Sequence, residues 1–326
     1  EPRSRKEINR LLFFHHSIHQ NSRWENETLA LENSIELRDD FSLRGRCEMF
    51  RVNLDSMVAA HQLHQGSNLR GHLVWARYQH FQRLLSIRNV PTEFEDEEIL
   101  QFFRETNDPD LYMERNAMSR SEFRKLVSPL VRSGHLIQDY RGGFRTVEPL
   151  RKVDLWEIKR NYLRKLVEDY PVITLKQVER LAGASFAPEE ISDVMHDFED
   201  DGTLIKGFLV DDLQDICWGR LDMLEGMGKI SRTRDLVIPP SDPLIHYFGS
   251  LLRERFGFGS AYLVFHKEEP IAAFKANTRN DKIELTDFVG DSELEKEAIR
   301  VMKEFAWEHD MPLSGKLFDR IRSRIV

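Results

Sequence analysis

One pattern of elements occurs twice between residues 111 and 230, and it constrains the fold more than any other feature of the chain. In the first copy, Met118-Ser119-Arg120-Ser121-Glu122 opens a helix that runs through Val131. Ser119 is its N-cap, with Glu122 three positions on, the spacing of a capping box. Gly134 stops that helix, His135–Tyr140 reads as a strand, Gly142-Gly143 as a tight turn, and Phe144–Val147 as the return strand. In the second copy Trp156–Val167, Thr174–Leu181 and Pro188–Glu199 read as helices, and Asp201-Gly202 ends the third. Thr203–Val210 and Ile216–Trp218 then supply two strands around the acidic turn Asp211-Asp212. Three helices followed by a β-hairpin, over about 65 residues, is the winged-helix arrangement. Such a module docks on DNA or serves protein packing alone.

The flanking regions differ from this core. Residues 1–90 read as helical, with apolar positions such as Leu29, Ile35, Leu54 and Val58, and with glycine and proline almost absent. Thr92–Asp110 is an acidic connector with a short helix, Glu97–Phe103, closed by Asn107-Asp108-Pro109. After the proline-locked Val237–Leu244, the helix Leu244–Phe256 is closed by Gly257. Three β-runs follow, Tyr262–His266, Ile271–Asn277 and Ile283–Phe288, and then an amphipathic helix over Ser292–His309. The expected class is α+β: tandem winged helices plus a small C-terminal β-rich domain. The domains are read as 1–110 (helical, winged-helix-like), 111–153 and 154–230 (winged helices) and 231–326 (α+β).

Charge is distributed unevenly. The chain carries −8 overall, but residues 111–153 carry +5, 91–110 carry −7 and 154–230 carry −8. A polyanion would therefore meet the first half, at Arg120, Arg124 and Lys125 on one helix and at the hairpin arginines Arg141 and Arg145. Arg120 and Arg124 are four apart and share a helix face, while Gly142-Gly143 sets the hairpin arginines at a tip. The competing reading is solvated surface charge with no partner.

Several chemistries are excluded by what is missing. No run approaches the roughly 20 apolar residues of a membrane helix, and with only two cysteines a disulfide-stapled secreted fold is a poor reading, so the expected place of action is the reducing cytoplasm, away from membranes. Cys47 and Cys217 are the only cysteines and make neither a disulfide framework nor, without CxxC or HExxH, a zinc site. The pairs His15/His19 and His61/His64 have helix-face spacing but lack further ligands, so no metal and no cofactor are expected. No phosphate-binding glycine loop and no GxSxG elbow occur. The most unusual string is Ser42–Val52, "SLRGRCEMFRV", where Arg44, Arg46 and Arg51 interleave with apolar residues and Glu48. It is either an arginine face that forks onto phosphates or an edge strand in which Arg44 pairs with Glu48, Asp39 or Asp40.

Several stretches together resemble the winged-helix DNA glycosylases of the AlkZ/YcaQ crosslink-repair type. Members carry a catalytic QxQ or QxD, a DPR-like run just after it, and later an RGT-x-H segment. Glu1-Pro2-Arg3-Ser4 resembles the run after the catalytic motif, which places that pair upstream of Glu1. "HSIHQNSRW" and "ETLALENSIELRDDFSLRGRCEMFRV" resemble the helix leading into RGT-x-H. The tandem winged helices and "VIPPSDPLIHYFGSLLRERFGFG" resemble the remainder, in order, over nearly the whole chain. Arg46 stands where the family has Thr, and Glu48 where it has His. A related module forms the C-terminal part of Lhr-type helicases.

The resemblance implies hydrolysis of the N-glycosidic bond of an alkylated or crosslinked nucleotide in double-stranded DNA, by a monomer. It places Arg44, Arg46 and Glu48 in the cleft beside the catalytic pair, with Glu48 a candidate for activating water. It also implies that a concave basic face replaces the deep base-flipping pocket of other glycosylases. The alternative is a non-catalytic winged-helix DNA-binding or regulatory protein, or an accessory module of a helicase.

Overall fold

The computed structural model describes residues 3–15, 63–89, 96–139, 141–211, 213, 215–225, 235–242, 244–279 and 281–325. The string Ser42–Val52, with Arg44, Arg46 and Glu48, lies outside the described residues, as do His16, His19 and His61. Helix α1 (Arg5–His15) starts at a capping box that the sequence reading missed. The Ser4 amide donates to Glu7 at 2.9 Å, and the Glu7 amide donates back to the Ser4 hydroxyl at 3.3 Å.

The expectation of helix throughout residues 1–90 is corrected by a hairpin, β1 (Leu63–Ser67) and β2 (Leu73–Arg77). Its cause is local. In β2, Val74 and Ala76 are buried while Leu73 and Arg77 are exposed, a period of two. The Asn68 carboxamide oxygen shapes the turn by accepting from the amides of Arg70 and His72. His64 therefore sits on a strand, and a helix-face pairing with His61 does not describe it. Helix α2 (Tyr78–Arg88) follows at once.

The acidic connector also differs from expectation. Helix α3 spans Glu97–Glu105, and Asn107-Asp108-Pro109 begins another helix, α4 (Pro109–Arg115), instead of only closing the previous one. The Asp108 carboxylate accepts from the amides of Asp110 and Leu111, and Pro109 occupies the first helical position, where its missing N–H costs nothing. Helix α5 (Arg120–Ser133) carries the expected capping box at Ser119 and Glu122. Its last residues meet Gly134, whose φ of +90° ends the helix. Glycine takes that left-handed conformation without the strain a Cβ would bring. Strands β3 (Leu136–Gln138) and β4 (Phe144–Thr146) complete the hairpin. The sheet order is β2-β1-β3-β4, with Gln65 opposite Gln138, so one sheet joins residues on both sides of position 110. Phe103, Tyr112, Phe123 and Phe144 form an aromatic core between sheet and helices, with Phe103 within 6.2 Å of each of the others.

The second repeat contains α6 (Leu155–Glu168), β5 (Val172–Thr174), α7 (Leu175–Ala182), α8 (Pro188–Asp200), β6 (Ile205–Gly207) and β7 (Cys217–Gly219). The sheet order is β5-β7-β6, all antiparallel. Strand β5 was not expected; three residues are too few to show a period, and all three are buried. The short helix α9 (Leu221–Glu225) follows.

The C-terminal part is a five-stranded sheet, order β12-β11-β10-β9-β8: β8 (Leu236–Ile238), β9 (Tyr262–His266), β10 (Glu269–Arg279), β11 (Lys282–Gly290) and β12 (Leu313–Ser314). Both faces are covered. Val264, Phe274 and Ile283 pack with α12 (Glu295–Glu308) and α13 (Lys316–Ile325), while Leu263, Phe265 and Ala273 join the main core. Double burial is why Tyr262–Phe265 is continuously apolar. The expected single helix over 244–256 is two, α10 (Leu244–Tyr247) and α11 (Gly249–Phe256). No helix among the described residues is long and apolar enough to cross a membrane. Mixed helices and sheets make the class α+β.

Candidate nucleic-acid interface and cleft

On α5, Phe123, Val127 and Leu130 turn inward at spacings of four and three, which leaves Arg120, Arg124 and Lys125 on the exposed side. Arg120 stands 4.0 Å from Asp110, both strongly exposed, a pair that contributes little. Among the described residues, α5 thus presents exposed cations without an ion pair at Arg124, Lys125 and Arg132.

The hairpin β3–β4 is folded by Asp139. Its carboxylate accepts from the amides of Arg141 at 2.8 Å and Gly143 at 2.9 Å, and Gly142 takes φ of +88°. Arg141 is exposed at this turn, as expected. Arg145 is not at the tip: it lies within β4, opposite Ile137, and its guanidinium stacks 4.1 Å from the centroid of the Tyr78 ring. The physical reason is pairing register, because Gly142-Gly143 closes the turn before Phe144 and so carries Arg145 into the strand. Tyr78 was missed from the sequence; nothing local marks a tyrosine that bonds a strand residue 68 positions on. Among the described residues, no group of histidine, cysteine and carboxylate side chains could hold a metal ion.

A cavity of about 490 Å³ lies where α1, the second repeat and the C-terminal part meet. Helix α1 is wedged between the two. Ile8 and Leu11 pack with Val172, Val210 and Cys217, while Phe13 meets Phe265 edge-on at 5.0 Å. On the C-terminal side, Asn9 donates to the Glu268 carbonyl at 2.9 Å, and Arg10 pairs with the buried Glu268 carboxylate at 3.3 Å. Lys267 and Glu268 make the β9–β10 turn, both with positive φ. Two non-glycine residues in that region are strained, and the contacts to α1 help hold them there. The cavity wall includes Thr174 and Gln177, whose own capping box starts α7, and Tyr247. Cys217 also lines it, but burial pushes its thiol up to about 11, so it is protonated and no nucleophile at neutral pH.

No family model matches the sequence, and no curated protein matches it. Among solved structures, the Streptomyces sahachiroi DNA glycosylase AlkZ is similar at a TM-score of 0.68 and 12% identity, covering 97% of this chain and 100% of that one. Over nearly its whole length, the chain has the fold of AlkZ.

Proposed function

We propose that this chain is a DNA-repair glycosylase-like protein that hydrolyses the N-glycosidic bond of alkylated or crosslinked nucleotides. The observation that carries the reading is the end-to-end likeness to the DNA glycosylase AlkZ. Supporting it, the second repeat has the element order helix–strand–helix–helix–strand–strand with sheet order β5-β7-β6, which we read as a winged helix. We read α3–α5 with β3–β4 in the same way. Arg120, Arg124, Lys125 and Arg141 then meet backbone phosphates, and Arg145 does so from its stack on Tyr78. The substrate is damaged double-stranded DNA, and the protein acts as a cytoplasmic monomer.

The chemistry follows from the bond to be broken. As the C–N bond lengthens, positive charge develops on the sugar, and a carboxylate or carboxamide must orient and polarise the attacking water. An N-alkylated purine is already a good leaving group, so no strong acid is needed. Glu48 is the candidate for this carboxylate, with Arg44 ordering the cleft and Arg46 drawing in phosphate. The second reading is a non-catalytic DNA-binding module, favoured by Arg46 and Glu48 replacing the Thr and His of the AlkZ/YcaQ pattern. A panel of alkylated and crosslinked duplexes separates the two: the enzyme leaves abasic sites on at least one, and the binding module retains every lesion it binds.

A further inference from the structure

We propose that Arg180 of α7 and Arg253 of α11, with Arg70 beside them on the β1–β2 turn, form a second phosphate-binding site that holds the DNA backbone beyond α5. This rests on the glycosylase reading and adds to it where the duplex runs once it leaves the first repeat.

The three arginines come from three separate parts of the chain. The Arg70 stem packs on Gly183, the residue that closes α7 just beyond Arg180. The Arg180 guanidinium packs in turn on Gly249, the first residue of α11, and Arg253 lies one helical turn further along that same face. Among the described residues, neither Arg180 nor Arg253 forms an ion pair. Arg180 donates only to neutral oxygens, the His246 carbonyl and the Ser250 hydroxyl, each at 3.3 Å. A guanidinium carries more N–H donors than these two bonds use. Burial, then Arg253 and Arg70, lower the Arg180 pKa, and the exposed Glu254 opposes them by less. Cations held this close repel one another, and a bound anion relieves the repulsion. The planar fork of arginine suits a phosphate.

That the phosphate is one of the DNA backbone follows from continuity with the basic face of α5. Arg88 of α2 donates to the carbonyl of Ser133, the last residue of α5, at 3.0 Å. It also donates to the Ser67 carbonyl at 3.1 Å and to the Asn68 carbonyl, where the β1–β2 turn begins. The Asn68 carboxamide accepts from the Arg70 amide. One side chain thus fixes the turn that carries Arg70 to the end of the helix that carries Arg124, Lys125 and Arg132. A strand bound at both places crosses from the first repeat to the second.

The test measures binding of the full chain to an undamaged duplex by anisotropy across a series of salt concentrations. Arg253→Gln should flatten the slope of log affinity against log salt by about one unit, and Arg180→Met with Arg253→Gln by roughly two. Arg253 is exposed, so its variant keeps the test decisive where thermal melting shows that Arg180→Met unfolds the chain. Lys303→Gln is the control for net charge: Lys303 is exposed on α12, which packs on the opposite face of the C-terminal sheet from α11, and its slope should not change. A slope kept by the folded variants overturns the site and leaves the glycosylase reading intact. If that slope is kept while inorganic phosphate raises the melting temperature of the unaltered protein and not of Arg253→Gln, the arginines hold a free phosphate and the proposal is also overturned. Equal flattening by Lys303→Gln reports net charge alone and overturns it as well. Absence of saturable binding by the unaltered protein overturns the glycosylase reading and the site together.

Discussion

The guanidinium of Arg145 lies 4.1 Å from the centroid of the Tyr78 ring, and this contact ties the hairpin β3–β4 to helix α2. The Tyr78 hydroxyl adds two links, donating to the Thr146 carbonyl and accepting from the Glu148 amide, each at 3.3 Å. Tyr78→Leu removes the ring and both hydrogen bonds. A loss of about 1–3 kcal/mol in urea unfolding is expected, with Tyr78→Phe losing less because it keeps the ring under Arg145.

The same arginine enters the DNA reading. Each phosphate contact contributes close to one unit to the slope of log affinity against log salt. Arg124→Ala and Arg145→Ala together should flatten that slope by roughly two and weaken binding alike on all sequences. Titrations between low and moderate salt measure it. An unchanged slope would move the DNA-binding face away from α5 and its hairpin.

Stability in acid depends on a pair in the second repeat. Lys159 reaches both carboxylate oxygens of Glu190, at 2.7 and 2.9 Å, and this hydrogen bonding holds the Glu190 carboxyl below the usual carboxylate range. A depressed folded pKa means that the unfolded chain binds the extra proton first. The pair's contribution is therefore complete above the unfolded value of about 4.3 and is lost as pH falls through the folded one. Urea midpoints measured from pH 7 downward should fall in acid, and Lys159→Met should show a shallower fall.

Much of the architecture was legible where a local signal exists. Ser119 with Glu122 marked the start of α5, Gly134 its end, and the apolar run before His266 a strand, although its burial on both faces shows only in the fold. What escaped lacked such a signal. Strand β5 is too short to show periodicity, and the hairpin at 63–77 sits in a stretch poor in glycine and proline, with a turn made by an Asn68 side chain. The basic face of α5 could be read because charge and helical spacing are local properties. The cavity could not, because Asn9, Thr174 and Tyr247 meet only through the tertiary fold.

Glu48 carries the one chemical role assigned from sequence. Glu48→Gln keeps the shape and removes the charge. Turnover should fall by about a hundredfold or more, with DNA affinity retained, on the scale usual for a general base. Normal turnover would return Glu48 to the role of an ion-pair partner for Arg44.

The central claim is that a chain with this fold breaks an N-glycosidic bond. It is tested most directly by single-turnover incubation of excess protein, with any sequence upstream of Glu1 included, with a duplex holding one N7-methylguanine. Abasic sites should form in a single exponential whose rate saturates with protein and exceeds spontaneous depurination by at least about a hundredfold. Saturable binding of that duplex, with abasic sites forming no faster than without protein across a panel of alkylated and crosslinked lesions, would contradict the claim.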